Sequence, residues 1–409
     1  MTRTSSGEGR RNARARMSAA QAATRLGVKR ETLYAYVSRG LLARLPGGGK
    51  ESEFDPAEVD RLATRGRRAP GLKPQALLVE TALTDVRDDD IRYRGQSALE
   101  LARSQPFERV AEWLWGIALD AQPRAAFGAP RAAVALARAV QAALPEDALP
   151  LERLRVIGVV LGSTDPLRYE TSHGAVIATA RGLCAGMVES LPRIGREAGG
   201  EQRLAARLWP RLCAARSTPA RLRALDLAMG LCADHALSPS TLAVRIAAAQ
   251  RADPYAVVQT GLGALSGALH GAASLLAEEL IAEVEAGGDP TQVIGARLRR
   301  AERIPGFGHA LHPSGDPRAT LLLATVREAF GNKRALGASD ALASVMRERG
   351  LPAPNVDFAL ATLARTAGMT RGASEAIMAL ARVAGWLAHA LEEYAKPTRF
   401  PIRALYVGS

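Results

Sequence analysis

Arg303-Ile-Pro-Gly-Phe-Gly-His-Ala-Leu-His-Pro-Ser-Gly-Asp-Pro-Arg318 gathers glycines, two imidazoles, a carboxylate and a guanidinium into one turn-rich segment. Gly306 and Gly308 flank Phe307 and allow the backbone to approach a ligand closely, which a side chain at either place would obstruct. His309 then falls at a loop tip. Asp316-Pro317 marks a second turn, and the spacing of Ala319, Leu321, Leu322, Leu323 and Val326 predicts a helix that Arg318 enters near its start. A cation at that end opposes the helix dipole, so a bound anion is expected beside it.

On both sides of this stretch, from Ala76 to the end, nearly every segment is rich in Ala and Leu with a period near 3.6 and is broken by Gly and Pro. Almost nothing alternates with period 2, so the body reads as all-α. Helical runs are expected over Leu99 to Trp115, Pro130 to Leu144, Arg221 to Met229, Ser274 to Ala286 and Ala373 to Tyr394. Aromatics make up only 4% of the chain, which predicts close helix contacts through small residues.

Three more segments place polar groups where such a core does not favour them. In Leu231-Cys-Ala-Asp-His-Ala-Leu-Ser-Pro-Ser240, one helix ends and Ser238-Pro239 starts another, leaving His235 in the corner. Small residues surround His270 in Gly261-Leu-Gly-Ala-Leu-Ser-Gly-Ala-Leu-His-Gly-Ala-Ala-Ser274. Pro354-Asn-Val-Asp-Phe358 enters a helix, with Asp357 a natural N-cap.

The amino-terminal part has a different character. Residues 1–70 hold 15 Lys or Arg against 7 Asp or Glu, a net +8 of the chain's +13. After a basic, disordered leader (1–16), Ser18 can cap a first helix, Gly27 turns the chain, and a second helix turns Leu33 and Val37 inward. Lys29, Arg30, Thr32 and Tyr36 are left on its outer side as candidate DNA contacts. This grammar, with Ser38-Arg-Gly-Leu-Leu42 and Phe54-Asp-Pro-Ala-Glu-Val-Asp-Arg-Leu62, resembles the helix-turn-helix domain of the MerR and excisionase type over residues 17–66. Asp55 and Pro56 would open a further helix. Residues 67–75 read as a linker of Pro, Gly and positive charge.

No run of about 18 uncharged apolar residues occurs and the leader lacks an apolar centre, so a cytoplasmic protein without membrane span or secretory signal is expected. Cys184, Cys213 and Cys232 lack metal-ligand spacing and fit buried, reduced thiols. No metal site is expected.

Taken together, Gly-Ala-Leu-His270-Gly, Gly-Phe-Gly-His309 with Asp-Pro-Arg318, Pro-Asn-Val-Asp357-Phe and Ala-Arg382-Val-Ala-Gly-Trp-Leu-Ala-His389 resemble, in order and spacing, the citrate synthase family. Ile91-Arg-Tyr-Arg-Gly95, Phe107 to Trp115 and Arg403-Ala-Leu-Tyr-Val-Gly408 extend the resemblance over residues 76–409. It implies a large helical domain (76–269 and 363–409) and a small one (about 270–362) that closes over substrate. It also implies condensation of acetyl-CoA with oxaloacetate and hydrolysis of citryl-CoA, without a permanently bound cofactor.

By family position, Asp357 is the base, His270 the donor to the thioester oxygen, and His309 the group that polarises and protonates the ketone. His235, Arg318, Arg382 and Arg403 hold the dicarboxylate, with Arg403 reaching the neighbouring subunit's site in a homodimer. Ile304, Gly306, Phe307 and Gly308 lie against the adenine end of coenzyme A. The sequence departs from the family pattern at Pro313, where a basic residue is common and where His312 or Arg303 would have to compensate. It departs again at Ala359-Leu-Ala361 after the base and at Met378. The last two changes border the acetyl site and leave propionyl-CoA, giving 2-methylcitrate, as an alternative. A further alternative is a DNA-binding regulator whose synthase-like body senses metabolites.

Overall fold

The computed structural model of the chain describes residues 16–38, 40–45, 52–56, 58–59, 79–87, 90–121, 126–196, 203–331 and 333–397. The chain divides into two units, Met1–Leu78 and Val79–Ser409. In the first, Ser18 caps the helix Ala19–Leu26: its hydroxyl accepts from the Gln21 amide while the Gln21 side chain accepts from the Ser18 amide. Gly27, at φ 67°, ends that helix in the left-handed conformation that favours glycine. The chain then enters a second helix, Arg30–Ser38. Met17–Ser18 pairs antiparallel with Glu53–Phe54, and Ala19, Ala22, Ala23, Leu33, Leu42, Phe54 and Val59 form a small core of their own. Glu58 and Val59 donate their amides to the Asp55 carbonyl, the start of a helical turn. Lys29 and Arg30 are exposed, Thr32 is half-buried, and Tyr36 packs partly on the core instead of standing clear of it.

The second unit opens on a feature that the periodicity did not suggest, a three-stranded antiparallel sheet of Thr84–Arg87, Asp90–Tyr93 and Gln96–Ser97. Arg94 and Gly95, at φ 47° and 82°, supply the two-residue turn between the last two strands. Its strands are at most four residues long, too short for alternation to register. The run expected as one helix from Leu99 to Trp115 is two helices, Ala98–Ser104 and Phe107–Leu114. Pro106 forces Gln105 into an extended conformation and stops the first of them.

The remaining helices gather around Ala373–Ala395, 23 residues that are buried almost all round. Packing against it are Phe107–Leu114, Pro150–Ser163, His173–Ser190, Pro219–Cys232, Pro239–Ala249, Pro254–Leu265 and Val356–Ala367. Small residues make these contacts close. A Cβ at Gly261 would lie 2.7 Å from the Trp386 ring, and one at Gly385 would lie 2.4 Å from the Asp234 carboxylate. Gly385 therefore lets the corner that carries Asp234 and His235 press onto the central helix. The three cysteines are free and buried. Among the described residues, no helix is long and apolar enough to cross a membrane.

Candidate active site

A cavity of about 330 Å³ is lined by His235, His270, His309, Arg318, Asp357 and Arg382 together with Leu265, Leu311, Val356 and Met378. The six polar side chains come from six places in the chain, and each is set there by local structure. His235 lies just after the helix Pro219–Cys232, and Ser238 caps the next helix by accepting from the Thr241 amide. Tyr93 donates its hydroxyl to the Asp234 carbonyl at 2.8 Å, while Thr84 and His389 engage the Asp234 carboxylate at 2.5 and 3.4 Å. Arg245 closes this buried chain at 2.6 Å from Nδ1 of His389. The small sheet and the central helix thus both hold the His235 corner.

Arg318 is the second residue of the helix Pro317–Phe330 and is buried. The anion expected beside it is Asp316, part of the protein. Arg318 donates through Nε and Nη2 to the two Asp316 oxygens at 3.0 and 2.8 Å, a bidentate charge-assisted pair. Asp316 also accepts from the amides of Arg318 and Val356, both at 3.0 Å, so one carboxylate caps one helix and tethers the start of another. Burial works to raise Asp316, but Arg318 holds it below the ordinary carboxylate range.

Asp357 is not the N-cap of the helix Val356–Ala367. Asn355 takes that place, its Oδ1 accepting from the amides of Asp357 and Phe358 at 3.0 and 3.3 Å. Asp357 sits two residues in, where its carboxylate takes no hydrogen bond from the described residues and faces the cavity. Burial, aided by the neighbouring Asp316 and opposed by Arg318 and Arg382, pushes it up to about 6.

The imidazoles are held neutral. Burial, with Arg382, lowers His270 to about 4, and burial, with Arg318, lowers His309 to about 4. Nδ1 of His309 accepts from the Leu311 amide at 3.1 Å, so the neutral ring carries its proton on Nε2. Nε2 of His270 lies 2.8 Å from the Ser240 hydroxyl. Arg382 donates Nε to the Cys232 carbonyl at 2.9 Å, fixing it below Met378.

The glycine loop has close neighbours within the protein. Gly306 and Gly308 both stand at φ 80°, but what approaches Gly306 is Phe358, whose Cβ would be 2.8 Å from an added methyl, and what approaches Gly308 is Pro352. The glycines seat the His309 loop on the Asp357 helix. The amides of Phe307 and Gly308 are engaged by the carbonyls of Ile304 and Ala353, and the Ile304 side chain is buried. His312 is buried as well, its Nε2 3.1 Å from Nε2 of His235, which removes it as a surface cation for a coenzyme phosphate; Arg303 is exposed. Arg403 lies outside the described residues, as do residues 1–15 of the leader and the linker 67–75.

Sequence reasoning passed over the parts played by Asp234, Ser240, Asp316 and His312. Asp316 stood in the first quoted stretch, and its spacing to Arg318 is the signal that an internal pair was available.

With a free carboxylate, two neutral imidazoles and two guanidinium groups around one cavity, the site can remove a weakly acidic proton, donate to developing oxyanions and bind carboxylates. The family described as citrate synthase, C-terminal domain, matches residues 73–404. Citrate synthase 2 of Bacillus subtilis is 26% identical over 356 residues, covering 80% of this chain and 93% of its own. The 2-methylcitrate synthase of Shewanella oneidensis is 28% identical over 353 residues, covering 80% and 92%. Among solved structures, citrate synthase from Thermotoga maritima is similar with a TM-score of 0.64 at 22% identity, over 82% of this chain and 94% of its own. The Thermoplasma acidophilum enzyme in complex with carboxymethyl coenzyme A and oxaloacetate scores 0.64 at 20% identity, over 82% and 95%.

Proposed function

From the premise that this chain belongs to the citrate synthase family, we propose that the cavity condenses an acyl-CoA with oxaloacetate and that its residues divide the work as follows. The protein is an enzyme of citrate synthase type, with acyl-CoA as a substrate and no permanently bound cofactor. Asp357, ionised and unbonded, takes a proton from the carbon next to the thioester. With the Ser240 hydroxyl donating to Nε2 of His270, the proton of that neutral ring lies on Nδ1 and serves the enolate oxygen. His309 presents Nε2–H to the ketone of oxaloacetate and becomes the donor of its proton as the new C–C bond forms. Arg318 and Arg382, with His235, hold the carboxylates, and Arg403 completes the site from the neighbouring subunit of a homodimer. The main chain from Ile304 to Gly308 borders the coenzyme. Water then hydrolyses the thioester.

The observation that carries this reading is the convergence of His235, His270, His309, Arg318, Asp357 and Arg382 on one cavity. Residues 270–362 would close over the site as one body, and the mutual packing of the helices from Ala272–Glu285 to Val356–Ala367 supports their moving together. That closure would keep water from the enolate.

The acyl group is set beside Met378, which lines the cavity, and the buried run Ala359 to Ala361. We assign acetyl-CoA as the substrate. Free coenzyme A thiol released by the full-length protein with oxaloacetate and either acyl-CoA tests this. Faster turnover with acetyl-CoA is expected, and preference for propionyl-CoA would move the assignment to 2-methylcitrate. One methylene is worth about 1–3 kcal/mol in an apolar pocket, so the two rates should differ by roughly tenfold or more. Silence with both, in a folded protein that binds oxaloacetate, would favour a metabolite-sensing regulator. Duplex DNA contact through Lys29, Arg30, Thr32 and Tyr36 is supported by the exposed cations at the start of the helix Arg30–Ser38.

A further inference from the structure

Met378 brings a sulfur to the wall of the catalytic cavity. It lies on the central helix Ala373–Ala395, one turn before Arg382, and both side chains line the cavity. Residues four apart share a helix face, so the two side chains meet. Nη2 of Arg382 donates to Sδ of Met378 at 3.6 Å, while its Nε donates to the Cys232 carbonyl at 2.9 Å. A thioether is a weak acceptor, so a carboxylate entering the cavity outcompetes it for Nη2.

The other sulfur atoms of the described residues are placed differently. Met187, Met229 and Met346 are at most 1% exposed, and Met17 and Met369 do not line the cavity. Burial pushes the thiols of Cys184 and Cys232 up to about 12 and raises that of Cys213, so none of them offers a thiolate to an oxidant.

We propose that Met378 is an oxidation-sensitive modification site, whose conversion to the sulfoxide by hydrogen peroxide takes Arg382 away from the substrate carboxylate. In that step a sulfur lone pair attacks one peroxide oxygen, the O–O bond breaks and an S–O bond forms. The sulfur loses two electrons, and the second oxygen takes them and leaves as water with both peroxide protons. The new oxygen is a much stronger acceptor than the sulfur, and the Cys232 carbonyl keeps the guanidinium from turning away from it. Methionine sulfoxide reductase restores the thioether, so the change is reversible. The inference rests on the reading of Arg382 as a carboxylate-binding residue.

Its test treats the full-length protein with hydrogen peroxide, removes the peroxide, and titrates oxaloacetate by calorimetry, with peptide masses recording which methionines gained an oxygen. Oxidation of Met378 should weaken oxaloacetate binding about tenfold or more, as loss of a hydrogen bond between charged groups implies, and the reductase should restore it. With each protein compared with its own untreated form, Met378→Leu should lose no affinity on the same treatment. Met378→Gln places an amide oxygen near Nη2 and should bind oxaloacetate more weakly than Met378→Leu before any treatment. Unchanged affinity in a parent whose Met378 carries the oxygen, or equal loss in parent and Met378→Leu, would overturn the proposal. So would a Met378 that stays unoxidised while Met369, 8% exposed against its 6%, gains the oxygen. A parent that binds no oxaloacetate before treatment would overturn the carboxylate site itself, and this inference with it.

Discussion

Asp357 shows how one residue bears conflicting demands. Its carboxylate is placed in a buried cavity with no donor of its own, and burial pushes it up to about 6. A folded-state value above the ordinary one means that the charged form is disfavoured by folding, so the ionised side chain costs stability at pH values above about 6 and costs none below the ordinary carboxylate range. In the proposed mechanism the same ionised form is the one that accepts a proton. Asp357→Asn should therefore abolish thiol release while raising the melting temperature at pH 8, with the two proteins converging in stability near pH 4. A lower melting temperature for the variant at pH 8 would show that the carboxylate is favourably paired in the fold. In the parent, kcat/KM should fall as pH drops through about 6. His270 and His309, lowered to about 4, remain neutral across that range and add no second inflection. A flat profile between pH 5 and 8 would remove Asp357 as the base.

At the scale of elements, the site is made by the joining of the His309 loop to the start of the helix Val356–Ala367. The Asn355 amide donates to the Gly306 carbonyl at 2.9 Å, its Nδ2 donates to the Gly308 carbonyl at 2.9 Å, and Asp316 reaches across to the Val356 amide. Gly306→Ala meets two obstacles there, a positive φ and the Phe358 backbone at 3.0–3.1 Å from the added methyl. It should lower unfolding free energy in urea by about 1–3 kcal/mol and reduce turnover as the base shifts from the cavity; unchanged stability would mean that loop and helix are not joined as described. Much of this site was legible in the residue order, because His235, His270, His309, Arg318, Asp357 and Arg382 stand in segments whose turns and small residues set them apart from an Ala/Leu background. Partnership was not legible. Asp316 as the counter-ion of Arg318, Asn355 as the cap in place of Asp357, and Phe358 as the reason for Gly306 all depend on which side chain reaches which neighbour. The 3.6 period reports only which face is buried. The short sheet escaped because strands of two to four residues are too brief for a period of 2 to show.

For the whole molecule, the net charge is unevenly distributed. The synthase body accounts for the family match at residues 73–404, while the preceding unit has a core of its own and lies in the stretch that holds +8 of the net charge. A fold of that size with exposed Lys29 and Arg30 at the entry to a helix is suited to phosphate contacts, whose strength comes from released counterions and falls with salt. The full-length protein should bind a mixed-sequence DNA duplex more tightly at 50 mM than at 200 mM salt. Each phosphate contact contributes about −0.9 to the slope of log K against log salt, so a Lys29→Ala, Arg30→Ala double variant should flatten that slope by roughly 1.8. The substitutions are exposed and far in sequence from every residue of the catalytic cavity, so thiol release should stay at the parental rate. A slope that both proteins share would place the contact elsewhere on the chain, and a slope near zero would leave the basic unit without an electrostatic claim on nucleic acid.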